Sequence, residues 1–515
     1  MGLQVGQVLR QAARFAPSAT AVVDLGHPGA ERREIDFAGL HHMACQVAHA
    51  LAARGVRPGD RVALVAENSI EAAAAWFGVV YAGAAVVPLH LLSAAPELAQ
   101  RFEHAGVKVA LHDPARGELV RAAVALAPVQ TEALSLDALD WNAPPAERYP
   151  LDTGAADTAL VLYTSGTTGK AKGAAISHAS LLLHTVLLVQ HALGLSESSR
   201  VLCVLPLSHS YGCRLALLAP FYARARIVTM PRFDAARALA ALQGEQVSWL
   251  PVVPTMLSAF GQLPAAEEQP AAASSSLRWV LCAGAPLADE TARRAEAVLG
   301  AEVRQGYGMT EATFSTMNAP PDARVLGSVG KPLWGVELRV VDEQGRDVPA
   351  GQSGQVLVRG HNVMTHYLFD AEATAEAAPD GWVYSGDVGE LDAEGRLRIV
   401  DRIKDLIIRG GYNVYPSEVE NALGAHPAVH DVAVLGRPDA FYGEEVVAVV
   451  VLREGASCAA SELAAFAAAR LSRTKLPREY AFVSQLPLGA SGKIHKRTLR
   501  EQLLTSQLAV EKVGA

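Results

Sequence analysis

Short apolar runs, each about the length of one buried strand, recur through most of the first 400 residues of the chain. Examples are RVALVAE, AAVVPL, KVALHD, TALVLYT, RVLCVLPL, ARIVTM, VSWLPVVP and LRWVLCAG. The stretches between them, such as FAGLHHMACQVAHALAARG and FDAARALAALQGE, have the apolar spacing of helices. Continuous apolar strands that alternate with helices are typical of parallel sheets covered on both faces. The pattern therefore predicts an α/β fold with largely parallel sheets for residues 1–400.

The pattern changes near residue 390, where strands become more frequent. GELDAEGRLRIVDR predicts a hairpin with its turn at 392–395, KDLIIRGGYNVY predicts a strand, and PSEVENAL predicts a helix with proline in its first turn. Strands at DVAVLG and EEVVAVVVL, a helix at SELAAFAAARL and a strand at EYAFV follow. We expect a small, separate α+β domain over residues 406–515, with its boundary to the large domain at 401–405.

Composition narrows the class of protein. The chain has 515 residues, of which 50% are hydrophobic and 19% charged, and a formal net charge of −8. These values are typical of a globular enzyme, and the acidic balance gives no support to nucleic-acid binding. The five cysteines are scattered without a CxxC pair, which argues against a disulfide framework or a zinc cluster and suits a reducing compartment.

Residues 72–89 carry no charge and reach the length of a membrane span. They are mostly alanine and glycine, however, and Gly83 and Pro88 interrupt them. We therefore predict a buried helix that runs into a buried strand. The N-terminus has no basic-then-apolar signal pattern, so we expect a cytoplasmic protein without a membrane span.

Residues 163–173, YTSGTTGKAKG, follow an apolar run that predicts the end of a buried strand. Glycines let backbone N–H groups converge on an anion, hydroxyl groups add donors, and Lys170 and Lys172 add positive charge. A polyphosphate is the simplest ligand. The Walker pattern does not fit, because only two residues separate Gly166 from Gly169.

This segment, continued as YTSGTTGKAKGAAISH, resembles the phosphate loop of the adenylate-forming superfamily, which includes acyl-CoA synthetases, peptide-synthetase adenylation domains and firefly luciferase. Four further motifs match in the expected order, namely LPLSHSYG (205–212), GYGMTE (306–311), YSGDVGELDAEGRLRIVDRIKDLIIRGGYNVYPSEVE (384–420) and SGKIHKR (491–497). The resemblance implies an ATP-dependent acid–CoA ligase. A carboxylate would attack the α-phosphorus of ATP to give acyl-AMP and pyrophosphate, and the thiol of coenzyme A would then displace AMP.

The resemblance also assigns roles to residues at the matching positions. Lys493 would bridge the carboxylate and the α-phosphate, Glu311 with Thr167 would bind Mg²⁺, and Tyr307 would stack on adenine. Asp387 would accept the ribose hydroxyl groups, with Arg402 reaching ribose and phosphate. Lys172 would hold phosphate and act in catalysis. The remaining nucleotide contacts would be Thr164, Ser165, Gly166, Thr167, Thr168, Gly169, Gly284, Ala285, Pro286, Gly306, Gly308, Met309 and Thr310.

In members of the superfamily the small domain rotates between the two half-reactions. Lys404 matches the pivot position. Gly410 and Gly411 would then line a narrow tunnel for the pantetheine arm of coenzyme A, although a simple β-bulge would also explain two glycines.

The acyl pocket is the least determined part of the prediction. His209 would border the pocket and shift to open the thiol route, and Ser210 replaces the aspartate that amino-acid-activating relatives carry there. Arg214 is the odd member of the predicted wall. Pointing inward, it could pair with a second carboxylate or a ring hydroxyl; we expect it instead to point outward to solvent. An aromatic or medium-chain acid fits the apolar, small-residue lining, which would comprise His209, Ser210, Tyr211, Gly212, Val253, Pro254, Gly284, Met309 and Thr313.

Other classes of protein fit less well. An α/β-hydrolase would need GxSxG, which is absent from the sequence. A non-catalytic relative would be expected to lose Lys493 or Glu311, and both are present. The main alternative is a ligase that loads a separate acyl carrier protein in place of coenzyme A. The sequence leaves monomer and homodimer open.

Overall fold

A computed structural model describes residues 3–143, 153–164, 172–264, 276–488 and 494–513. The strands in these ranges are β1 (Thr20–Asp24), β2 (Arg33–Asp36), β3 (Arg61–Val65), β4 (Ala85–Pro88), β5 (Val107–His112), β6 (Glu132–Ser135), β7 (Thr158–Thr164), β8 (Lys172–Ser177), β9 (Arg200–Cys203), β10 (Arg226–Thr229), β11 (Trp249–Val252), β12 (Trp279–Cys282), β13 (Glu302–Tyr307), β14 (Thr316–Met317), β15 (Lys331–Pro332), β16 (Val336–Val341), β17 (Gly354–Gly360), β18 (His366–Tyr367), β19 (Val383–Leu391), β20 (Leu397–Arg402), β21 (Ile407–Arg409), β22 (Tyr412–Val414), β23 (Val429–Asp439), β24 (Gly443–Leu452), β25 (Glu479–Phe482) and β26 (Glu511–Lys512).

Helices pack around these strands. They are α1 (Gln7–Phe15), α2 (Phe37–Ala53), α3 (Ile70–Tyr81), α4 (Ala95–Ala105), α5 (Gly117–Leu126), α6 (His178–Leu188), α7 (Ser210–Cys213), α8 (Ala219–Tyr222), α9 (Ala235–Gly244), α10 (Pro254–Phe260), α11 (Asp289–Leu299), α12 (Ala371–Ala377), α13 (Pro416–Gly424), α14 (Ala460–Ala468) and α15 (Lys496–Leu504). Short side chains fix several helix starts, because an aspartate or serine at the N-cap accepts a backbone N–H that the helix leaves without a partner. Asp36, Ser69, Ser177 and Asp234 cap α2, α3, α6 and α9 in this way.

Two large sheets, parallel at their centres, form the N-terminal part of the described structure. The strand orders are β15–β14–β13–β12–β11–β9–β10–β1–β2 and β18–β8–β7–β4–β3–β5–β6. Antiparallel pairs occur toward the edges, as between β1 and β2 and between β7 and β8. Every apolar run quoted above falls on one of these strands, so the predicted α/β class is confirmed.

Two smaller sheets follow along the chain. An antiparallel sheet has the order β16–β17–β19–β20, and its β19–β20 hairpin turns at the predicted position, with Gly395 N–H donating to the Asp392 carbonyl oxygen (3.0 Å). A further sheet begins at Ile407 and has the order β22–β21–β24–β25–β26, with β23 paired to β24. The prediction of one strand over 404–415 was wrong, because two glycines with positive φ at 410 and 411 divide it into the hairpin β21–β22.

The uncharged stretch 72–89 lies in the protein core. It forms α3, where Trp76 is completely buried, followed by β4, as the sequence predicted. Gly78 lets α3 approach α2 closely, since a Cβ there would lie only 2.4 Å from the Val47 Cβ. In the parts of the chain that the structure describes, no helix is both long and apolar enough to cross a lipid bilayer.

One buried histidine couples the stability of the fold to pH. His178 begins α6, and its Nδ1 accepts a hydrogen bond from Val5 N–H (3.4 Å). Burial lowers the pKa of its imidazole to about 4, although Asp157 acts in the opposite direction. In the unfolded chain this pKa returns to about 6.5, so the unfolded state takes up the proton first. The neutral His178 therefore contributes to the free energy of unfolding above about pH 6.5, and this contribution of ~3 kcal/mol is lost as the pH decreases toward 4.

We expect His178→Asn to make the fold less sensitive to acid. The asparagine amide oxygen can accept the Val5 N–H without titrating, so the variant loses this one source of pH dependence. Thermal unfolding of both proteins at pH 7.5 and pH 5 provides the comparison. The fall in melting temperature between the two pH values should be smaller for the variant, and an equal fall would contradict the assignment.

Candidate active site

The predicted phosphate loop joins two strands that pair side by side. Strands β7 and β8 are antiparallel, and Thr164 and Lys172 face each other as cross-strand partners. The connection between them therefore begins and ends at one point on the sheet edge. Several residues predicted to bind phosphate, and the predicted catalytic lysine, lie outside the described residues: Ser165, Gly166, Thr167, Thr168, Gly169 and Lys493.

A tyrosine that the sequence analysis missed connects Lys172 with Glu311. Tyr367 lies on β18 next to β8, and its hydroxyl donates to Glu311 Oε1 at 2.7 Å. The Lys172 Nζ lies 5.2 Å from the centre of the tyrosine ring, within range of a cation–π contact. Burial, and then the charge of Glu311, raises the pKa of Tyr367, so the phenol stays protonated as a donor. A phosphate-loop cation and the predicted metal-binding carboxylate thus share one cluster.

The Glu311 carboxylate is suited to a hard cation such as Mg²⁺. It is half-buried, and Tyr367 occupies only Oε1. No hydrogen bond or ion pair from the described residues reaches Oε2. Oxygen ligands from one or two carboxylates are what Mg²⁺ takes beside substrate phosphates.

The residues predicted to bind the nucleoside come together across three strands. Tyr307, at the end of β13, donates its hydroxyl to Asp387 Oδ2 at 2.6 Å. Arg402 Nε lies 3.2 Å from Asp387 Oδ1, because the two residues are cross-strand partners on β19 and β20. Burial and the neighbouring Asp387 charge raise the pKa of Tyr307 well above its usual value, so it remains a donor. Asp387 is only 4% exposed, so its carboxylate meets the Tyr307 hydroxyl and the Arg402 guanidinium away from bulk solvent.

The GYGMTE segment makes a tight turn after β13. The Ser315 N–H donates to the Tyr307 carbonyl oxygen (2.7 Å), and Met309 N–H donates to the Ala312 carbonyl oxygen (3.1 Å). Gly308 is needed for this approach, since a Cβ there would lie 2.3 Å from the backbone nitrogen of Phe314. Of the other predicted nucleotide contacts, Gly306 is buried, Thr310 and Ala285 are half-buried, and Pro286 is exposed.

A small, mostly apolar cavity lies beside this turn. The Tyr211 ring packs edge-on against Phe314 (5.0 Å between centroids), and its hydroxyl donates to the Leu281 carbonyl oxygen at 2.7 Å. His209 caps α7, and its Nδ1 accepts the Tyr211 N–H at 3.1 Å. The lining residues are His90, Leu205, Pro206, His209, Tyr211, Gly212, Val253 and Gly284.

The cavity agrees only in part with the predicted acyl pocket. Five predicted residues line it, whereas Ser210, Pro254, Met309 and Thr313 are not among the lining residues. His90, Leu205 and Pro206 were missed. The signal for His90 was its position just beyond β4, at the same sheet edge as the phosphate loop.

Comparison with known proteins identifies the family. The AMP-binding enzyme model matches residues 9–368, and the model of the AMP-binding enzyme C-terminal domain matches residues 418–493. The chain belongs to the AMP-binding enzyme family. This confirms the predicted resemblance and the enzyme class, an AMP-forming acid–thiol ligase that uses ATP and coenzyme A.

Individual AMP-binding enzymes are similar over nearly the whole chain. A feruloyl-CoA synthase from Amycolatopsis sp is 38% identical over 492 residues, which cover 95% of this chain and 97% of the relative. A fatty acid–[acyl-carrier-protein] ligase from Streptomyces coeruleorubidus is 32% identical over 500 residues, covering 95% and 94% of the two chains. The crystal structure of ATP-bound MatB from Rhodopseudomonas palustris superimposes with a TM-score of 0.88 at 33% identity, covering 98% and 99%.

Arg214 of this AMP-binding enzyme does not point to solvent, and the expectation that it would was wrong. Its side chain is 0% exposed. A turn of π-helix over Arg214–Leu218, between α7 and α8, directs it into the domain interior. Arginine is rarely buried without a partner, which is why the sequence favoured the exposed orientation.

The predicted hinge and tunnel residues of the AMP-binding enzyme lie at the start of its C-terminal part. Lys404 is exposed in a single 3₁₀ turn, Ile403–Asp405, between β20 and β21. Gly410 and Gly411 have φ of 57° and 83°, which the tight β21–β22 turn requires, and glycine adopts such angles most readily. The turn alone accounts for both glycines, so a tunnel role remains a prediction.

We expect Asp387→Asn to raise the KM for ATP about tenfold with a smaller change in kcat. One charge-assisted hydrogen bond to the ribose would be lost, and such bonds contribute ~1.5–3 kcal/mol. Tyr307→Phe, which removes only the phenol hydroxyl that contacts Asp387, serves as the milder comparison. Initial rates of pyrophosphate release against ATP concentration measure both effects. An unchanged KM for ATP in Asp387→Asn would exclude Asp387 from the nucleotide site.

Proposed function

We propose that this AMP-binding enzyme converts a carboxylic acid, ATP and coenzyme A into acyl-CoA, AMP and pyrophosphate through an acyl-adenylate. One observation carries the proposal: the cavity and the residues predicted to bind the nucleotide share a wall. Gly284 lines the cavity and belongs to the loop predicted to cover adenine. Tyr211, also in the lining, packs on Phe314, which lies against Gly308 of the nucleotide turn. An acid in this cavity would present its carboxylate next to a bound nucleotide.

In the first half-reaction a carboxylate oxygen attacks the α-phosphorus, a new C(O)–O–P bond forms, and the bond to pyrophosphate breaks. Both reactants are anions, so positive charge is the main requirement. We assign Lys493 to the carboxylate and α-phosphate, and Lys172 with the phosphate loop to the β- and γ-phosphates. Glu311 and Thr167 would hold Mg²⁺, which supplies neutralisation of the pyrophosphate charge.

In the second half-reaction the thiol sulfur attacks the acyl carbonyl carbon, and the bond to the AMP oxygen breaks. We propose that residues 401–405 form the hinge between a domain of residues 1–400 and a mobile domain of residues 406–515. Rotation at Lys404 would withdraw Lys493 and bring Gly410 and Gly411 to the site. His209, at the N-cap of α7, would move aside to let the thiol reach the acyl carbonyl.

The cavity suits an aromatic or medium-chain acid, since its walls combine apolar side chains with glycine. The similarity to a feruloyl-CoA synthase supports an aromatic acid. The similarity to an acyl-carrier-protein ligase keeps a carrier protein as the second candidate acceptor. We further propose a cytoplasmic location, which suits five cysteines that are all free thiols.

Pyrophosphate release tests the proposal. The purified enzyme would be assayed with ATP and Mg²⁺ against cinnamates, benzoates, fatty acids of graded length and dicarboxylates, each with and without coenzyme A. We expect one acid class to give release that coenzyme A strongly stimulates, together with acyl-CoA. Release without acyl-CoA would favour the carrier-protein alternative, and no release with any acid would contradict the ligase assignment.

A further inference from the structure

Arg214 is a buried cation with no hydrogen-bond or ion-pair partner among the described residues. Its Nε, Nη1 and Nη2 atoms are all inaccessible to solvent and form no hydrogen bond within the described structure. Burial lowers the pKa of its guanidinium to about 10, so it still carries its charge at neutral pH. No acidic side chain among the described residues forms an ion pair with it. A charge left in this state is costly unless another molecule compensates it.

Two histidines, His184 and His361, lie close enough to Arg214 to be affected by its charge, and they add no negative charge. His184 of α6 is 1% exposed, and its Nδ1 lies 3.0 Å from His361 Nε2. Burial lowers the pKa of both imidazoles, and the nearby Arg214 charge lowers them further. The His184 Nε2 atom is also buried, and no described residue forms a hydrogen bond with it. A guanidinium and two neutral imidazoles thus form a cluster that offers donors to a ligand.

The helix that carries Arg214 also forms a wall of the acyl cavity. Tyr211 lines the cavity and lies three residues before Arg214, which begins the π-helical turn directly after α7. On the opposite side, Asn362 follows His361 and donates to the Thr313 carbonyl oxygen at 2.9 Å. Arg214 therefore lies one helical turn beyond the cavity lining.

Further unpaired polar atoms lie on the same segments. Ser208 Oγ, Thr313 Oγ1 and Asn362 Oδ1 are buried and lack hydrogen-bond partners within the described residues. Buried polar atoms without partners are rare in folded proteins, and a group of them around one region indicates a missing polar ligand. Together with Arg214 they form a group of unpaired polar atoms on segments next to the cavity, whose own lining is mostly apolar.

We propose that Arg214, supported by His184 and His361, binds a second carboxylate at the far end of the acid substrate. This inference rests on the proposed ligase function and specifies its substrate as an acid with two carboxylates, one activated and one recognised. The guanidinium fork matches a carboxylate with two parallel hydrogen bonds. A neutral hydroxyl would satisfy hydrogen bonds but leave the buried charge uncompensated, so we favour the anion.

Four acids that differ only in the group at the 4-position test the choice: 4-carboxycinnamate, 4-hydroxycinnamate, 4-methylcinnamate and cinnamate. We expect the wild-type kcat/KM for pyrophosphate release to be ~100-fold higher for the carboxy acid than for the methyl acid, because a site with buried polar groups discriminates strongly against ligands that leave them unpaired. The carboxy acid alone should also raise the melting temperature of the enzyme. Equal use of the four acids, or a preference for the hydroxy acid, would overturn the proposal.

Variants separate recognition from folding. Arg214→Met should reverse the preference, lowering kcat/KM for the carboxy acid ~100-fold and leaving the KM for ATP unchanged. It removes an uncompensated buried charge, so the fold should tolerate it. Arg224→Met, at a surface arginine paired with Glu197, is the matched control and should keep the wild-type ratio. If Arg214→Met kept the wild-type ratio of kcat/KM between the carboxy and methyl acids, the proposal would also be overturned. If the wild-type enzyme were inactive with every acid, the ligase function itself would be refuted.

Discussion

Replacing Lys493 with alanine is expected to slow adenylation at least ~100-fold and to leave the reaction of supplied acyl-AMP with coenzyme A near its original rate. The carboxylate and the α-phosphate must approach as two anions. Two unit charges about 4 Å apart repel by ~4 kcal/mol at an effective dielectric constant of 20, which corresponds to nearly a thousandfold in rate. Two other cations predicted to contact the nucleotide already have partners: Lys172 lies over the Tyr367 ring, and Arg402 pairs with Asp387. We therefore do not expect either of them to replace Lys493.

Single-turnover measurements separate the two steps. Pyrophosphate formation reports adenylation, and acyl-CoA formation from synthetic acyl-AMP reports the second step. Arg497→Ala is the control from the same segment, because Arg497 is exposed and, among the described residues, forms an ion pair with Glu501 alone, one turn along α15. It should leave both steps unchanged. If Lys493→Ala slowed both steps equally in a folded protein, the assigned role would be wrong.

The sequence predicted the central strands well because they are continuous apolar runs between capped helices. Of the antiparallel sheet β16–β17–β19–β20, the sequence predicted only the β19–β20 hairpin. A strand such as β16, VELRVV, is buried at only three of its six positions and has no distinctive composition. The division of 404–415 into two strands depended on positive φ at two glycines, which the sequence allows but does not require.

The residues predicted to bind the nucleotide lie in short motifs, and the structure brings Tyr307, Asp387 and Arg402 into contact. Tyr367 escaped notice since its place next to Glu311 follows from the pairing of β18 with β8, strands far apart in sequence. The orientation of Arg214 depended on a π-helical turn that no sequence pattern announced. Short motifs therefore indicated the candidate site, whereas tertiary packing determined the surroundings of Tyr367 and the orientation of Arg214.

Replacing Lys404 with proline is expected to have the opposite effect from Lys493→Ala, slowing thioester formation ~100-fold and sparing adenylation. A rotating domain needs a few residues that absorb the change in φ and ψ. Lys404 is exposed in the single turn Ile403–Asp405, so its side chain contributes little packing that could obscure the effect. Proline fixes φ near −65° and also restricts Ile403 before it, which holds the turn in one conformation.

Lys404→Ala distinguishes loss of backbone freedom from loss of the side chain, because alanine removes the amine and leaves φ free. We expect Lys404→Ala to catalyse both half-reactions at rates close to the wild type, and Lys404→Pro to accumulate acyl-AMP in the presence of coenzyme A. Quenched reactions analysed for acyl-AMP and acyl-CoA over time measure both. If Lys404→Pro produced acyl-CoA as fast as Lys404→Ala, the pivot would lie elsewhere, since a rotation about residue 404 cannot proceed through a fixed φ.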